Sequence, residues 1–250
     1  MTDTKPQHVI EMTPATSDLS RPVLHRNMAL YSREAQQVAR RLLDRVGYSL
    51  FSIEVILQLI ADADDIDKVE DIIVQDIQKS GTVLTDECKR LEKLMADAGL
   101  SEADVPTYTR PAEVRMEISS PLVVHYGQLL ILLDEVMKLL HTLWLNSAID
   151  KRQDRLARKQ WTQHLNKLST RIIEIERRTR KKARASGKQD DVAKTAPVRS
   201  RQKNQAEKEA NDAGEASPSD TSTVDAPSNN DEETDPPASG EQSRETAATA

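Results

Sequence analysis

The last quarter of the chain sets the strongest limit on how this protein folds. Residues 189–250 contain no Leu, Ile, Phe, Tyr, Trp or Met and only three valines, and they are rich in Ser, Thr, Pro, Ala, Asp and Glu. Such a segment buries too little apolar surface to offset the chain entropy that is lost on folding. We therefore predict a disordered acidic tail over 186–250, one folded domain over 21–185, and a loose N-terminal arm over 1–20.

Charge is distributed in blocks along the chain. Residues 1–149 carry a net charge of −8, residues 150–188 a net charge of +10, and residues 189–250 a net charge of −8. The overall net charge of −6 therefore conceals a strongly basic segment between two acidic ones. This basic segment is where a polyanionic partner is expected to bind.

The composition favours a cytoplasmic protein without a membrane segment. Cys88 is the single cysteine, so no internal disulfide can form, and the first residues, MTDTKPQH, lack the pattern of a signal peptide. The longest apolar run, residues 129–133, is far shorter than the ~18 residues that span a bilayer. Residues 189–250 are too polar to add a span.

The fold is predicted to be mainly α, a helical bundle with a short two-stranded β ribbon. Apolar and polar residues alternate around 21–31, which predicts a strand, and helical spacing follows after an N-cap at Ser32. Gly47-Tyr48-Ser49 is interpreted as a tight turn before a second helix that ends near residue 61. The unit over 21–61 therefore has the order strand, helix, turn, helix.

Further helices and one more strand are predicted over 65–149. Near-heptad spacing indicates one long helix from Asp65 to Ala98, or two helices joined at Gly81, and Glu113–Ser119 alternates like a strand. A strongly apolar helix then opens at Pro121. A basic helix over 150–185 completes the domain.

The unit over 21–61 resembles a ribbon-helix-helix module, in which paired strands of two subunits read the major groove. On this hypothesis His25 and Asn27 face the bases, whereas Arg33, Tyr48 and Ser49 lie near the phosphate backbone. The alternative is that the strand pairs with residues 113–119 inside the same domain and touches no DNA.

The basic helix has two distinct features. Apolar residues at alternating spacings of four and three form a seam for helix packing, which serves either the domain itself, a second copy in a homodimer, or a protein partner. This seam consists of Trp161, Leu165, Leu168, Ile172 and Ile175. A run of cations near the helix end is predicted to contact the nucleic-acid backbone, although cations also suit a helix C-terminus in general. The run consists of Arg177, Arg178, Arg180, Lys181, Lys182 and Arg184.

The sequence carries no catalytic signature. It lacks a Gly-rich phosphate loop, a nucleophile elbow, an HExxH pair and a CxxC pair, and the histidines do not have the spacing of metal ligands on one helix face. The aspartates at 62–67 lack the glycine and terminal glutamate of an EF-hand loop. We therefore expect no enzyme activity, no cofactor and no metal, and we expect Cys88 to be a buried small hydrophobe.

Several segments together resemble the AcaB-like family, which is carried by integrating conjugative elements and related plasmids. They are ALYSREAQQVARRLL, the YTRP loop, SSPLVVHYGQLLILLDEVMKLLHTLW and the basic helix that follows. The resemblance covers residues 24–185 and includes Pro-x-x-x-x-Tyr-Gly before an apolar helix that carries Asp134. Family members are described as transcriptional regulators of conjugative transfer, so the resemblance implies a role in DNA-linked regulation.

Two functions are consistent with these observations. The first is a DNA-binding regulator or accessory protein of a conjugative element, with base contacts from the strand and backbone contacts from the basic helix. The second is a scaffold component of a conjugation apparatus that binds a partner helix through the seam and does not bind DNA. The sequence does not distinguish DNA from RNA.

Overall fold

Long helices dominate the computed structural model, which describes residues 8–12 and 22–197, all within one compact unit. The strands are β1 His8–Glu11, β2 Leu24–Leu30 and β3 Ala112–Ile118. The helices are α1 Arg33–Val38, a π-helical turn Ala39–Leu43, α2 Asp44–Ile60, α3 Ala63–Asp97, a 3-10 turn Glu102–Asp104, α4 Pro121–Leu145, α5 Lys151–Ala185 and α6 Gln189–Thr195. The mainly α fold predicted from the sequence is confirmed.

The segment from Arg33 to Ile60 is one uninterrupted rod, because α1, the π-helical turn and α2 follow each other without a break. The predicted turn at Gly47-Tyr48-Ser49 is therefore wrong, since all three residues are buried inside α2. Gly47 serves close packing instead: a Cβ there would lie 2.6 Å from Cε of Met12. The structure does not confirm a ribbon-helix-helix unit over 21–61, because the turn to the next helix falls at Ala61–Asp62.

The sheet has three strands in the order β1-β3-β2, rather than the two strands predicted. Strand β2 pairs antiparallel with β3, with Asn27 opposite Arg115, and β1 pairs parallel with β3. Strand β1 lies within the predicted loose arm, so that prediction is wrong for His8–Glu11. Four residues are too few for alternation to predict a strand, and β1 exists only because β3 supplies its hydrogen-bond partners.

Helix α3 is continuous through Gly81, which is one of the two predicted forms. It ends at Asp97, one residue before the predicted end at Ala98, and Gly99 follows with a φ of +70°, the left-handed conformation that glycine adopts without steric cost. The amide of Leu100 donates to the carbonyl of Met95 at 2.9 Å, which closes the last turn.

Helix α4 forms the centre of the core. Pro121 occupies its first turn, where a missing amide hydrogen costs nothing. Its buried side chains pack against α3, α5, the rod and β2. They include Tyr126, Leu130, Leu133, Val136 and Met137, each fully buried.

Helix α5 begins with a capping box in which Asp150 accepts from the amides of Arg152 and Gln153. Its apolar seam packs into the domain core: four of the five residues are buried and the fifth, Ile175, is partly buried. The structure thus contradicts the predicted use of this seam for a partner helix or a second copy, because the seam is already occupied.

Helix α6 lies within the region predicted to be a disordered tail, so the predicted boundary at residue 186 is too early. Val192 and Ala196 are buried against Ile56 and Ala183, forming a small second core. One valine and small alanines give this helix little sequence signal. The remainder of the predicted tail, from residue 198, lies outside the described residues.

Candidate nucleic-acid interface

The side chains predicted to read bases lie on the outer face of the sheet. Along β2, Met28 and Leu30 point into the core, whereas His25, Asn27 and Ala29 are exposed. The Nδ2 atom of Asn27 donates to Oε1 of Glu113 at 2.6 Å. The strand and its exposed face are therefore as predicted, but Asn27 is already paired.

The outer face of the sheet is acidic. Glu113 and Glu117 of β3 lie beside Asn27 and His25, and Glu11 of β1 forms an ion pair with Arg115 at 2.9 Å. Carboxylates repel the phosphates that flank every base, so this face disfavours nucleic acid electrostatically. Base contacts by His25 and Asn27 remain a prediction.

A buried carboxylate fixes the junction between β2 and α1. Asp134 of α4 accepts hydrogen bonds from the amide of Tyr31 at 3.1 Å, the amide of Ser32 at 2.7 Å and the hydroxyl of Ser32 at 2.6 Å. The Ser32 hydroxyl oxygen in turn accepts from the amide of Ala35 and caps α1, as its sequence position predicts. Burial raises the pKa of Asp134 above its ordinary value, although these hydrogen bonds oppose the rise.

A second polar network ties α1 to α5. Arg158 binds the buried carboxylate of Asp154 at 2.6 Å and Glu34 at 2.7 Å. His141 lies 3.8 Å from Glu34, and its Nδ1 is 2.9 Å from the hydroxyl of Tyr108. Sequence reasoning missed this network because its members come from three helices and the loop that carries Tyr108. We assign it to positioning α1, because Glu34 of α1 binds Arg158 of α5, although the other oxygen of Glu34, Oε2, is buried without a hydrogen-bond partner among the described residues.

Tyr48 and Ser49 are inaccessible to a phosphate. Both lie inside α2 and are buried, and the Ser49 hydroxyl donates to the carbonyl of Arg45 at 2.9 Å. The structure therefore contradicts their predicted backbone contacts. The physical reason is that Gly47 continues the helix, so no helix N-terminus exists at this position.

The basic run at the end of α5 divides into structural and exposed cations. Arg180 is structural: it pairs with Glu176, donates to Ser52 at 3.0 Å and to the carbonyl of Ala196 at 2.8 Å, and is only 12% exposed. Its predicted contact with nucleic acid is therefore contradicted. Lys182 is exposed but lies 3.7 Å from Asp65. The other four cations of the run are exposed.

These four cations belong to a longer surface, the basic face of α5. Most of its members lie two residues from a buried residue of α5, which places them about 200° around the helix from the core. They are Arg152, Lys159, Lys167, Arg177, Arg178, Lys181 and Arg184, all exposed. None of the seven has an ion-pair partner within the described residues. The face extends about 48 Å, at 1.5 Å per residue.

One carboxylate, Glu174, shares this face among the described residues, because the other two acidic residues within α5, Asp154 and Glu176, are buried. The flank of α5 that faces α3 is different, since Asp76 neutralises Arg171 at 2.7 Å. Sequence reasoning found only the last part of the basic face. The remaining cations of the face could have been predicted from the positions of the seam residues, because residues two positions from a seam residue point away from the core.

The rod lies alongside α5 and adds cations next to the basic face. Three rod residues, Glu34, Arg41 and Ser52, each contact an α5 residue that lies 124 to 128 positions later in the sequence. This nearly constant separation shows that the rod and α5 run parallel. Arg41 donates to Asn166 at 2.9 Å, and Arg40 is exposed one residue earlier. Arg33, predicted to contact the backbone, is exposed at the start of the rod.

A groove of about 700 Å³ borders the basic face between the start of α3 and the end of α5. Its apolar lining comes from Leu57, Ala61, Val69, Ile72 and Ile175. Its polar lining comes from Asp65, Lys68, Arg171, Glu174, Arg178, Thr179 and Lys182. The walls follow α5 for about 16 Å, or three helical turns. We call this feature the α3–α5 groove.

The described residues contain no group of three or more side chains arranged as metal ligands. Cys88 is buried as predicted, and burial raises the pKa of its thiol to about 11, which keeps the thiol protonated at neutral pH. None of the helices within 8–12 and 22–197 combines the length and apolar character that are needed to cross a bilayer.

These features define a mainly α-helical protein with a small mixed sheet and a basic outer helix face. The crystal structure of AcaB from uropathogenic E. coli is similar to this chain, with 42% sequence identity and a TM-score of 0.69, over 72% of this chain and 93% of that chain. The chain belongs to the AcaB-like family. No family model matches the chain, and no curated protein matches it.

Proposed function

We propose that this chain is a cytoplasmic, non-enzymatic DNA-binding regulator or accessory protein of a conjugative element, acting as a homodimer. The observation that carries the proposal is the basic face of α5, where seven exposed cations are accompanied by one carboxylate among the described residues. The link to conjugative elements rests on the family resemblance. The role of the strand in reading bases is a separate part of the proposal.

Phosphate contacts along the basic face would supply sequence-independent affinity. Its length of about 48 Å matches roughly 14 base pairs, given 3.4 Å per base pair. If all seven cations replace counterions, the logarithm of affinity falls against the logarithm of salt concentration with a slope of about −6. Such contacts position a protein on a duplex but do not select a sequence.

The test variant carries Gln in place of four exposed cations of the face at once: Arg177, Arg178, Lys181 and Arg184. We expect the salt slope for duplex DNA to become shallower by about 3.6 and the affinity at low salt to fall strongly. The matched control replaces four exposed cations away from the face with Gln: Lys79, Lys89, Lys93 and Arg110. Equal salt slopes in the two variants would refute the assignment of this face.

Sequence selectivity is tested separately with His25→Ala combined with Asn27→Ala. If β2 reads bases, the double variant loses preference for element-derived duplexes over random duplexes while its salt slope stays unchanged. Loss of preference in the four-cation variant but not in the strand variant would remove β2 from the site. Sedimentation of both variants reports whether the proposed homodimer persists.

A second candidate function, as a scaffold that binds a partner protein, is favoured by the α3–α5 groove. The groove has an apolar floor and is about three turns long. Of its four cations, Lys68 and Lys182 pair with Asp65 and Arg171 pairs with Asp76, whereas Arg178 has no ion-pair partner within the described residues. This shape and charge suit a short amphipathic helix with acidic flanks. Ile72, which is 46% exposed, is the natural anchor position.

The scaffold candidate is tested with a designed acidic amphipathic peptide of about three turns. Ile72→Glu should abolish its binding without changing the affinity for DNA, whereas Val83→Glu, on the same helix but outside the groove, should leave both unchanged. Peptide binding that is insensitive to Ile72→Glu would refute the groove as the site.

A further inference from the structure

Large hydrophobic side chains are exposed at one end of the helical bundle. At this end α3 and α4 stop and α5 begins, and Nδ2 of Asn146 donates to the carbonyl of Asp104 at 3.2 Å, which joins the end of α4 to the loop after α3. Five of the eleven large hydrophobic side chains that are exposed in the described part of the chain lie here, with exposed fractions of 37% to 57%: Leu94, Val105, Trp144, Leu145 and Leu156. The proposed homodimer needs such a surface, because the apolar seam of α5 is already buried inside the domain.

Four of these side chains, Leu94, Val105, Trp144 and Leu145, lie among carboxylates, and together with them form what we call the acidic end patch. Residues 96–105 and 144–151 carry four carboxylates and one cation, Lys151, all of them exposed. The carboxylates are Asp97, Glu102, Asp104 and Asp150, and none of them has an ion-pair partner within 8–12 and 22–197. An exposed apolar surface with a charged rim is typical of a protein–protein interface.

The fifth side chain, Leu156, lies among cations instead. Arg152, Arg155 and Lys159 are within about one turn of Leu156 on α5, and all four side chains are exposed. The three cations form no ion pair with any residue that the structure describes. We call these four residues the Leu156 patch, which begins about 2 Å along α5 from Lys151. The chain thus carries two patches of opposite charge, each with exposed apolar side chains, close together at the same end of the bundle.

We propose that two copies of this chain pair about a two-fold axis at this end of the bundle, with the acidic end patch of each copy on the Leu156 patch of the other. The proposal rests on the homodimer in the proposed function and names its interface. Two-fold symmetry forms both contacts at once, because the two patches lie close together on each copy. Direct pairing of two acidic end patches is disfavoured, since it brings like charges together.

The turn between α4 and α5 holds the acidic end patch in a fixed shape. Ser147 has a φ of 60°, which L side chains rarely adopt, and its amide donates to the carbonyl of Trp144 at 3.0 Å. The amide of Ala148 donates to the carbonyl of Leu143 at 2.8 Å. A surface that is already ordered loses little conformational freedom when a partner binds.

The dimer leaves most of the basic face of α5 open. Arg152 and Lys159 belong both to the Leu156 patch and to the basic face, whereas the other five members, from Lys167 to Arg184, lie further along the helix. The dimer therefore presents two such stretches of cations to nucleic acid, one from each copy.

The experiment reverses charge in the full chain. One variant carries Asp97→Lys and Glu102→Lys in the acidic end patch, and the other carries Arg155→Glu and Lys159→Glu in the Leu156 patch. Sedimentation equilibrium at about 0.1 M salt measures dimerisation. We expect the dissociation constant of the dimer to rise about 100-fold in each variant alone, because every contact then joins like charges. The control with Lys79→Glu and Lys89→Glu, two exposed cations of α3 outside both patches, should match the parent.

An equimolar mixture of the two variants is the sharpest test. Each contact in the mixed dimer again joins opposite charges, so the mixture should dimerise as tightly as the parent, which also shows that both variants are folded. A mixture that stays monomeric, or single variants that dimerise like the parent, would overturn this interface and leave the homodimer in place. A parent that is monomeric at every concentration would overturn both. Neither result depends on DNA binding.

Trp144 gives a second readout of the same interface. It is 39% exposed, whereas Trp161, the other tryptophan, is 7% exposed. Dilution of the parent below its dissociation constant should increase acrylamide quenching of tryptophan fluorescence, and Trp144→Phe should remove this increase. Quenching that stays constant while the dimer dissociates would overturn the place of the acidic end patch in the interface.

Discussion

Asp134 is predicted to hold the β2–α1 junction in place, and Asp134→Ala tests this directly. The substitution leaves three donors without an acceptor: the amides of Tyr31 and Ser32 and the hydroxyl of Ser32. Hydrogen bonds to a charged group contribute about 1.5–3 kcal/mol each. Removing a buried charge offsets part of this loss, because burial alone destabilises the carboxylate. We expect the free energy of unfolding to fall by about 2–4 kcal/mol.

The assay is urea unfolding followed by circular dichroism, which reports the helical content lost. The control is Glu135→Ala, the next residue on α4, whose half-exposed side chain pairs with Lys138 at 2.6 Å. Exposed ion pairs contribute little, so the control should lose less than about 0.5 kcal/mol. A loss below about 1 kcal/mol in Asp134→Ala would refute the reasoning, since one orphaned buried donor already costs that much.

Three further predictions concern pH, the contact between Arg180 and the end of α6, and helix packing. Burial raises the pKa of Asp134 from 3.8, so the folded chain binds this proton more tightly than the unfolded chain. The difference in free energy of unfolding between the parent and Asp134→Ala should therefore shrink as the pH rises from about 4 to 7, as measured by urea unfolding. Arg180→Ala should lower the free energy of unfolding by about 2 kcal/mol and accelerate amide exchange in α6. Lys181→Ala is the control, and equal exchange rates in the two variants would show that Arg180 does not hold α6 in place. Gly47→Ala should raise the free energy of unfolding by up to about 1 kcal/mol in thermal melts, because alanine favours helix and the atom that its Cβ approaches, Cε of Met12, is the end of a flexible side chain that is free to turn away. A loss of stability that Met12→Ala removes would contradict this reasoning.

Periodicity predicted most of the fold. The alternation around Leu24–Leu30, the heptad spacing of α3 and α5 and the apolar run after Pro121 each gave the observed element, because each pattern spans enough residues to distinguish the helix period from the strand period. Strand β1 and α6 escaped prediction for the opposite reason. Both are short and are formed through contacts with distant elements.

Glycine and arginine show where sequence reasoning about the site reaches its limit. Gly47 resembled a turn signal, but it lies inside α2 next to Met12, and sequence alone does not show which distant side chain approaches a glycine. Arg180 resembled its neighbours, yet Ser52 and Ala196 bind it. The outward cations of α5 were predictable in principle from the seam, whereas the acidic neighbours of His25 and Asn27 depended on strand pairing.

The π-helical turn at Ala39–Leu43 gives this region an unusual tolerance to a change in chain length. A π turn contains one residue more than the regular helix it interrupts, so deleting one exposed residue there, such as Arg40, would restore regular helix. The wide turn already accommodates the extra residue, so the deletion would leave Ser32 beside Asp134 and Glu34 beside Arg158. Deleting one residue from the regular part of α2 would instead rotate the residues before it by about 100° and break both contacts. Relatives of this chain that keep the same junction should therefore differ in length between Ser32 and Val46 only by this one residue of the π turn.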